Sequence, residues 1–303
     1  MDIFLKQLVN GLSLGSIYAL IALGYTMVYG IVKLINFAHG DVMMVGAYTG
    51  YFVLRSMGTG PLGLACAFAA AMAVCALLSV VIERCAYRPL RNSPRLNSLI
   101  TAIAVELILQ NLMRVLPFVG PDPRSYPVMP SATHTLSTAS YPDGLVSISD
   151  IQILVIVASL VLMLLLNLLI NYTRTGKAMR AVSYDMGAAS LMGISVNNTI
   201  AITFVIGSIL AGAGGVLYAS AYPQIDPTMG YIPGLKAFVA AVLGGIGSVP
   251  GAMVGGVILG IAETMAKAYV SSQYADAISY CILIAILLVK PSGLLGKKQV
   301  VKV

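Results

Sequence analysis

Long runs of apolar residues, separated by short polar or glycine-rich stretches, recur along the whole chain. Residues 154–170 are interrupted only by Ser159 and Asn167, and residues 200–221 are rich in glycine and alanine. Runs of about 20 apolar residues are long enough to cross the hydrocarbon core of a bilayer as helices. The short alternating segments typical of β-barrels do not stand out. The pattern therefore predicts an all-α fold, a polytopic transmembrane helical bundle.

About eight to nine membrane segments are predicted. The first is too long for the apolar core of a signal peptide and no strongly basic stretch precedes it, so we interpret it as a span. Counting spans places the N-terminus outside; an alternative keeps it inside, with the short second segment re-entrant. The predicted segments are residues 8–30, 41–54, 62–83, 97–116, 151–171, 198–219, 235–247, 250–270 and 277–290.

Composition and charge agree with a membrane protein. Of the 303 residues 58% are hydrophobic and only 10% are charged, whereas soluble domains carry about 25% charged residues. The net charge is +7, and basic loops stay in the cytoplasm. Three basic clusters are therefore predicted inside. The loop 117–150, in which Arg124 is the only lysine or arginine, is predicted outside. The clusters are Arg84, Arg88, Arg91 and Arg95; Arg174, Lys177 and Arg180; and Lys290, Lys297, Lys298 and Lys302.

Several function classes are disfavoured. Each basic cluster flanks a span, so nucleic-acid binding is a poor interpretation. The four cysteines show no metal-ligand spacing and are expected to pack within or beside apolar segments, so no metal site is predicted. No nucleophile–base constellation is evident, and no phosphate-binding G-x-x-x-x-G-K-[ST] loop occurs. The chain is therefore not expected to be an enzyme, and in particular not an ATPase.

Two membrane segments are short and interrupted by glycine, one around residues 36–54 and one around residues 235–251. Short, broken helices at matching places in two inverted halves indicate a transport pathway near the membrane midplane. The sequence thus predicts one transmembrane domain, residues 1–303, with inverted halves at residues 8–116 and 198–290 and a linking span at 151–171. Candidate pathway or gate residues are Asn36, His39, Gly40, Asp41, Glu106, Gly244, Gly245 and Gly247.

Ionisable residues at membrane depth are costly and therefore informative. Glu106 lies in the middle of a predicted span, and it is either a hydrogen-bonded structural carboxylate or part of the pathway. Glu263 and Lys267 are four residues apart and are expected to pair on one helix face. His39 and Asp41 belong either to a structural turn or to a moving gate. Two G-x-x-x-G patterns, at Gly251–Gly255 and Gly256–Gly260, predict close helix packing.

The predicted cytoplasmic loop 172–197 contains a short helix. Asp185 is a suitable N-cap and Gly193 a suitable stop for a helix at residues 186–192. A short helix with a small, alanine-rich surface and a basic approach suits docking of a soluble partner; the alternative is a solvated amphipathic loop. Candidate coupling residues are Arg174, Gly176, Lys177, Arg180, Asp185, Ala188, Ala189, Leu191 and Gly193.

Four stretches of the sequence are distinctive when taken together. These are Asn-Gly-Leu-Ser-Leu-Gly at residues 10–15 continuing to Gly30, Ile-Asn-Phe-Ala-His-Gly at 35–40, the loop 174–194, and Lys-Ala-Phe-Val-Ala-Ala-Val-Leu-Gly-Gly-Ile-Gly-Ser at 236–248. Together they resemble the LivH-type permease subunits of bacterial branched-chain amino acid ABC importers. Loop 174–194 looks like the family's segment for ATPase docking. It departs from the family pattern in having Tyr184 before Asp185, and Asp41 stands where many members have glutamate.

The resemblance implies a complex and a substrate. The expected partners are a second, LivM-type permease subunit, two cytoplasmic ATPase subunits, a periplasmic amino-acid-binding protein and membrane lipid. ATP and Mg²⁺ would bind the ATPase subunits, with no cofactor in this chain. The expected function is import of leucine, isoleucine and valine across the bacterial inner membrane. The alternatives are an ion-coupled secondary transporter, or an ABC permease for a related substrate such as urea or short amides.

Overall fold

A computed structural model describes residues 2–33, 36–90, 93–128, 130–138, 141–290 and 292–296. Of the basic clusters, Arg91, Lys297, Lys298 and Lys302 lie outside these residues. Helices dominate the described chain, and a π-helical segment, Glu83–Tyr87, extends the third of them. The helices are α1 Asp2–Val32, α2 His39–Met57, α3 Pro61–Ile82, α4 Arg95–Val115, α5 Asp150–Tyr172, α6 Arg174–Tyr184, α7 Met186–Leu191, α8 Val196–Ala221, α9 Tyr231–Gly244, α10 Val249–Tyr269 and α11 Ala275–Val289.

Each of the nine predicted membrane segments overlaps one of these helices. Within the described residues, six helical stretches are long and apolar enough to cross a membrane, and they belong to α1, α3, α4, α5, α8 and α10. Helices α9 and α11 are apolar but shorter. The chain is therefore a multi-pass membrane protein, and a count of eight to nine spans stays a prediction.

The described residues also include four strands, which the sequence did not predict. Strand β1, Arg124–Ser125, pairs antiparallel with β4, Gln224–Ile225. Strand β2, Thr133–Thr138, pairs antiparallel with β3, Tyr141–Ser149. Both β1 and the β2–β3 hairpin lie in the predicted external loop 117–150, where threonine, valine and isoleucine favour extended backbone. The helical body agrees with the all-α prediction, and strands β1, β2 and β3 lie in a segment that was predicted only as an external loop.

Helix α1 lies at the centre of the molecule and packs tightly against α10. A Cβ added to Gly11 would lie 2.7 Å from the Cα of Ile261, and one added to Gly15 would lie 2.8 Å from the Cα of Val257. Because residue numbers rise along one helix as they fall along the other, α1 and α10 are antiparallel. The predicted packing role of Gly256 is confirmed, since a side chain there would collide with the α1 backbone at Ala19.

The two short helices α2 and α9 meet at their amino ends. Gly40, in the first turn of α2, packs directly against Gly230 and Gly234, at the start of α9. Farther along α2, Gly46 lies against Gly212 of α8, where an added Cβ would be 2.7 Å from the Gly212 Cα. The carboxyl end of α9 packs instead against Gly251, at the start of α10. From their shared point of contact, α2 and α9 therefore lead to different parts of the molecule.

Candidate functional site

The break that precedes α2 is held by buried polar contacts. The Tyr87 hydroxyl donates a hydrogen bond to Asn36 Oδ1 at 2.8 Å, and the His39 amide donates to the Asn36 carbonyl at 3.1 Å. The His39 ring is buried against Gly24 and lies edge-on to Tyr25, with ring centroids 4.8 Å apart. Asn36 and His39, both predicted at the gate, therefore fix the position at which α2 begins.

A cavity of about 330 Å³ opens beside this break. Asp41 and Glu106, the two predicted carboxylates, both line it. Gln110 donates a hydrogen bond to Asp41 Oδ2 at 3.2 Å, and the Asp41 residue is only 1% exposed. The structure thus brings Gly40, Asp41 and Glu106 together. The full lining is Tyr25, Phe37, Gly40, Asp41, Ile103, Glu106, Leu107, Gly230, Tyr231 and Leu235.

The glycines predicted for the same gate lie in a different place. Gly244 packs on Gly251, and Gly245, with φ of +106°, lies against Gly296. Gly247, with φ of +93°, faces Gly30 near the carboxyl end of α1. These positive φ angles suit glycine because a Cβ would be strained there. The predicted gate residues therefore fall into two groups, one at the large cavity and one at the junction of α9 and α10.

The second group lies next to the predicted coupling loop. A smaller cavity of about 80 Å³ is lined by Gly30 and Gly247 together with Met179, Arg180 and Ser183 of α6. The carboxyl end of α1, the α9–α10 turn and helix α6 thus meet around one space. This contact connects the coupling loop to the membrane helices, and the spacing of these residues in the sequence does not predict it.

The short helix predicted in the coupling loop is confirmed as α7. Asp185 Oδ1 accepts a hydrogen bond from the Ala188 amide at 2.9 Å, which is the expected N-cap. The helix ends at Leu191, one residue earlier than predicted, and Gly193 follows with φ of +81°. Ala189 is buried, whereas Ala188 is exposed and Leu191 is 90% exposed. One side of α7 therefore rests on the protein and the other is free.

Helix α6 was not predicted, and it holds the remaining coupling candidates. Thr173 caps it, since its Oγ1 accepts from the Gly176 amide at 3.1 Å. Gly176 is buried against the α5 backbone at Leu169 and Ile170, where a side chain would not fit. Arg180 donates to the Asn171 carbonyl at 3.3 Å. The exposed side chains of this helix include the basic residues Arg174, Lys177 and Arg180.

A buried ion network joins α1, α9, α10 and α11, and only part of it was predicted. The expected Glu263–Lys267 pair is present, with Nζ 2.6 Å from Glu263 Oε1. Lys236 Nζ lies 2.7 Å from the same oxygen and 2.7 Å from Asp276 Oδ1. The Tyr18 hydroxyl donates to Glu263 Oε2 at 2.9 Å. Lys236 is a charged residue inside an apolar segment, and that signal was available in the sequence.

These features define a polytopic helical membrane protein with a cavity lined by two carboxylates and a short, largely exposed helix between two spans. The chain matches the family described as "Branched-chain amino acid transport system / permease component" over residues 7–287. It is 45% identical to the high-affinity branched-chain amino acid transport system permease protein LivH of Escherichia coli K12, covering 99% of this chain and 98% of that protein.

Two further relatives give the same result. The high-affinity branched-chain amino acid transport system permease protein BraD of Pseudomonas aeruginosa is 45% identical, and the LivH protein of Salmonella typhimurium is 44% identical. Each alignment covers 99% of this chain and 98% of the relative. No solved structure matches the chain at a significant level. The chain therefore belongs to the family of branched-chain amino acid transport permease components, which confirms the resemblance seen in the sequence.

Proposed function

We propose that this chain is the LivH-type membrane subunit of an ATP-driven importer for leucine, isoleucine and valine in the bacterial inner membrane. The observation that carries the proposal is 45% identity, over 99% of the chain, to permeases named for branched-chain amino acid transport. Its partners are a LivM-type permease subunit, two ATPase subunits that bind ATP and Mg²⁺, and a periplasmic amino-acid-binding protein.

Helix α7 is the proposed site of ATPase docking. It has an N-cap at Asp185 and a buried anchor at Ala189, so it is held as a unit rather than as a loose loop. Its outer surface presents the exposed side chains of Leu191 and Met192, which are 90% and 82% exposed. An exposed apolar tip beside basic residues is typical of a surface that a partner covers.

Movement of α7 has a direct route into the membrane helices. Helix α6 packs on α5 at Gly176 and shares the small cavity with Gly30 and Gly247. A nucleotide can shift a two-state equilibrium only by its differential affinity for the two states. We propose that ATP-driven closure of the ATPases displaces α6 and α7 together, and that the α9–α10 turn adjusts at Gly245 and Gly247.

The orientation of the helices supports an external N-terminus. Gln152, at the start of α5, donates a hydrogen bond to Asn10 of α1 at 2.7 Å. The other end of α5, at Ile170, shares the small cavity with Ile31 of α1. Helices α1 and α5 are therefore parallel. If loop 117–150 is external, as the charge distribution predicts, then the amino end of α1 is external too.

The transport pathway is proposed to pass the point where α2 and α9 meet. Both helices begin there, at Gly40 and Gly230, and they lead to different parts of the molecule. Broken helices that meet in this way are the expected feature of two inverted halves. We propose that residues 8–116 and 198–290 are those halves and that α5 links them.

An uptake assay tests the coupling proposal. Ala188 is exposed, so Ala188→Arg should leave insertion and folding intact while placing a bulky charge in the docking surface. We expect uptake of labelled leucine to fall at least tenfold while basal ATP hydrolysis persists. Asn198→Arg, at the exposed start of α8, adds the same charge outside α7 and should transport normally. Normal uptake by Ala188→Arg would contradict the proposal.

Competition and co-purification test the substrate and the energy source. Labelled leucine, isoleucine and valine should enter cells, and excess urea or short amides should not compete. Purification from solubilised membranes should recover a second permease and ATPase subunits. Uptake that continues in a complex without any ATPase would indicate an ion-coupled transporter instead.

A further inference from the structure

The carboxylates in the membrane helices have two kinds of surroundings. Glu263 has two lysine ammonium groups within 2.7 Å and a tyrosine hydroxyl at 2.9 Å, so its charge is balanced. Asp41 and Glu106 differ, because within the described part of the chain neither forms an ion pair with Lys, Arg or His. Asp41 and Glu106 therefore differ from Glu263 in the charges that surround them, although all three are carboxylates.

Asp41 is nonetheless buried. It is 1% exposed, and its described side-chain hydrogen bonds come from the neutral amide of Gln110, at 3.2 and 3.4 Å. A buried carboxylate is stable when it is paired with a cation or protonated. Glu106 lines the same cavity and adds a second acidic group. The arrangement leaves room for a cation that the described residues do not supply.

The cavity itself indicates which cation fits. Its volume of about 330 Å³ lies within the range of small-molecule sites. The wall beside the two carboxylates is apolar, and it includes Phe37, Leu107 and Leu235. Among the described residues no group of three or more His, Cys, Asp or Glu side chains is placed to hold a metal ion. An ammonium group attached to an aliphatic side chain matches both the acidic and the apolar parts of the lining.

We propose that this cavity, which opens at the surface of the chain beside α4, is an amino-acid binding site of the permease, in which Asp41 and Glu106 accept hydrogen bonds from the substrate's α-ammonium group. The aliphatic side chain contacts the apolar wall. This proposal rests on the proposed function and adds a recognition step within the membrane, beyond selection by the binding protein.

Direct binding to the purified transporter complex tests the site without the binding protein. Labelled leucine should be displaced by 3-methylbutylamine, which keeps the ammonium group, and much less by 4-methylpentanoate, which keeps only the carboxylate. Asp41→Asn and Glu106→Gln should each weaken leucine binding about ten- to a hundredfold, the effect expected for one hydrogen bond to a charged group. Asp122→Asn, an exposed loop carboxylate, removes the same charge and should bind as the unmodified protein does.

The outcomes separate this site from the proposed function. Unchanged leucine binding by both carboxylate variants would overturn the site, and so would the absence of saturable binding to the unmodified complex. The site would also be overturned if sodium ions displaced leucine as effectively as 3-methylbutylamine does, because the cavity would then hold a simple cation. ATP-dependent leucine uptake by the unmodified complex in vesicles is measured in parallel. Failure of that uptake alone would overturn the proposed function and leave the site standing.

Discussion

Replacing Lys236 by methionine removes the ammonium group at the centre of the buried ion network. That group lies 2.7 Å from Glu263 Oε1 and 2.7 Å from Asp276 Oδ1, on a residue only 4% exposed. Lys267 offers a matched comparison, because its ammonium lies 2.6 Å from the same Glu263 oxygen while its side chain is 43% exposed. The two substitutions remove the same charge from the same acceptor, and they differ in burial and in the additional contact of Lys236 with Asp276.

The expected loss of stability depends on which charged groups each substitution leaves without a partner. Breaking a buried ion pair costs about 3–5 kcal/mol when the remaining charge has no other partner. Here Glu263 keeps Lys267 and Tyr18, and Asp276 is 51% exposed and can be hydrated. We therefore expect Lys236→Met to lower the free energy of unfolding by about 2–3 kcal/mol, at or below the lower end of that range. Lys267→Met should cost about 1 kcal/mol or less, as for exposed ion pairs.

Thermal unfolding of the detergent-solubilised protein measures the difference. The melting temperature should fall on the order of 5 °C or more for Lys236→Met and about 2 °C or less for Lys267→Met. Both variants are compared at one heating rate, because unfolding of membrane proteins is commonly irreversible. Equal losses for the two variants would refute the argument that burial, rather than the presence of an ion pair, determines the contribution of this network.

Two further predictions concern helix packing and the coupling helix. Gly215→Ala should destabilise the protein by about 1–3 kcal/mol in thermal unfolding, because its Cβ would lie 2.8 Å from the Ala47 amide nitrogen and closer still to the α2 backbone. Gly214→Ala meets only side-chain atoms, at 3.3 Å and beyond, and should cost less. Asp185→Ala removes the N-cap of α7, at a cost of about 1 kcal/mol, and should lower leucine-stimulated ATP hydrolysis. Asp185→Asn, which retains a capping oxygen, should preserve that activity, and equal losses for the two would contradict the capping role.

Features controlled by local chemistry were predictable from the sequence. The apolar runs predicted the positions of the helices. Backbone polar groups buried in lipid must find hydrogen-bond partners within the protein, and a helix supplies them within the same segment. The α7 helix was predicted from Asp185 and Gly193, since a cap and a stop act within a few residues. The strands in loop 117–150 were missed because a polar loop gives no strong alternation, and β1 finds its partner β4 about a hundred residues away.

Contacts between residues far apart in the sequence were not predictable. The ion network shows the contrast, because its Glu263–Lys267 pair lies within one helix and was predicted from a spacing of four residues. The third member, Lys236, comes from the preceding helix, and its proximity depends on how α9 folds back along α10. Similarly, Gly40 and Gly247 were grouped as one gate because both adjoin helix breaks. The structure separates them, since each break contacts a different set of helices.

Glu106 and Glu263 show why residue type alone does not distinguish a structural carboxylate from a functional one. In the sequence both are single glutamates inside apolar segments, and both carry the same cost of burial in a membrane. In the folded chain, Glu263 has lysines from two helices, which lower that cost and leave no room for another ligand. Glu106 faces a cavity that it shares with Asp41 and has no described ion pair. In the proposed site, the counter-charge for Asp41 and Glu106 is the ammonium group of the substrate, so the two carboxylates need no partner from the chain itself.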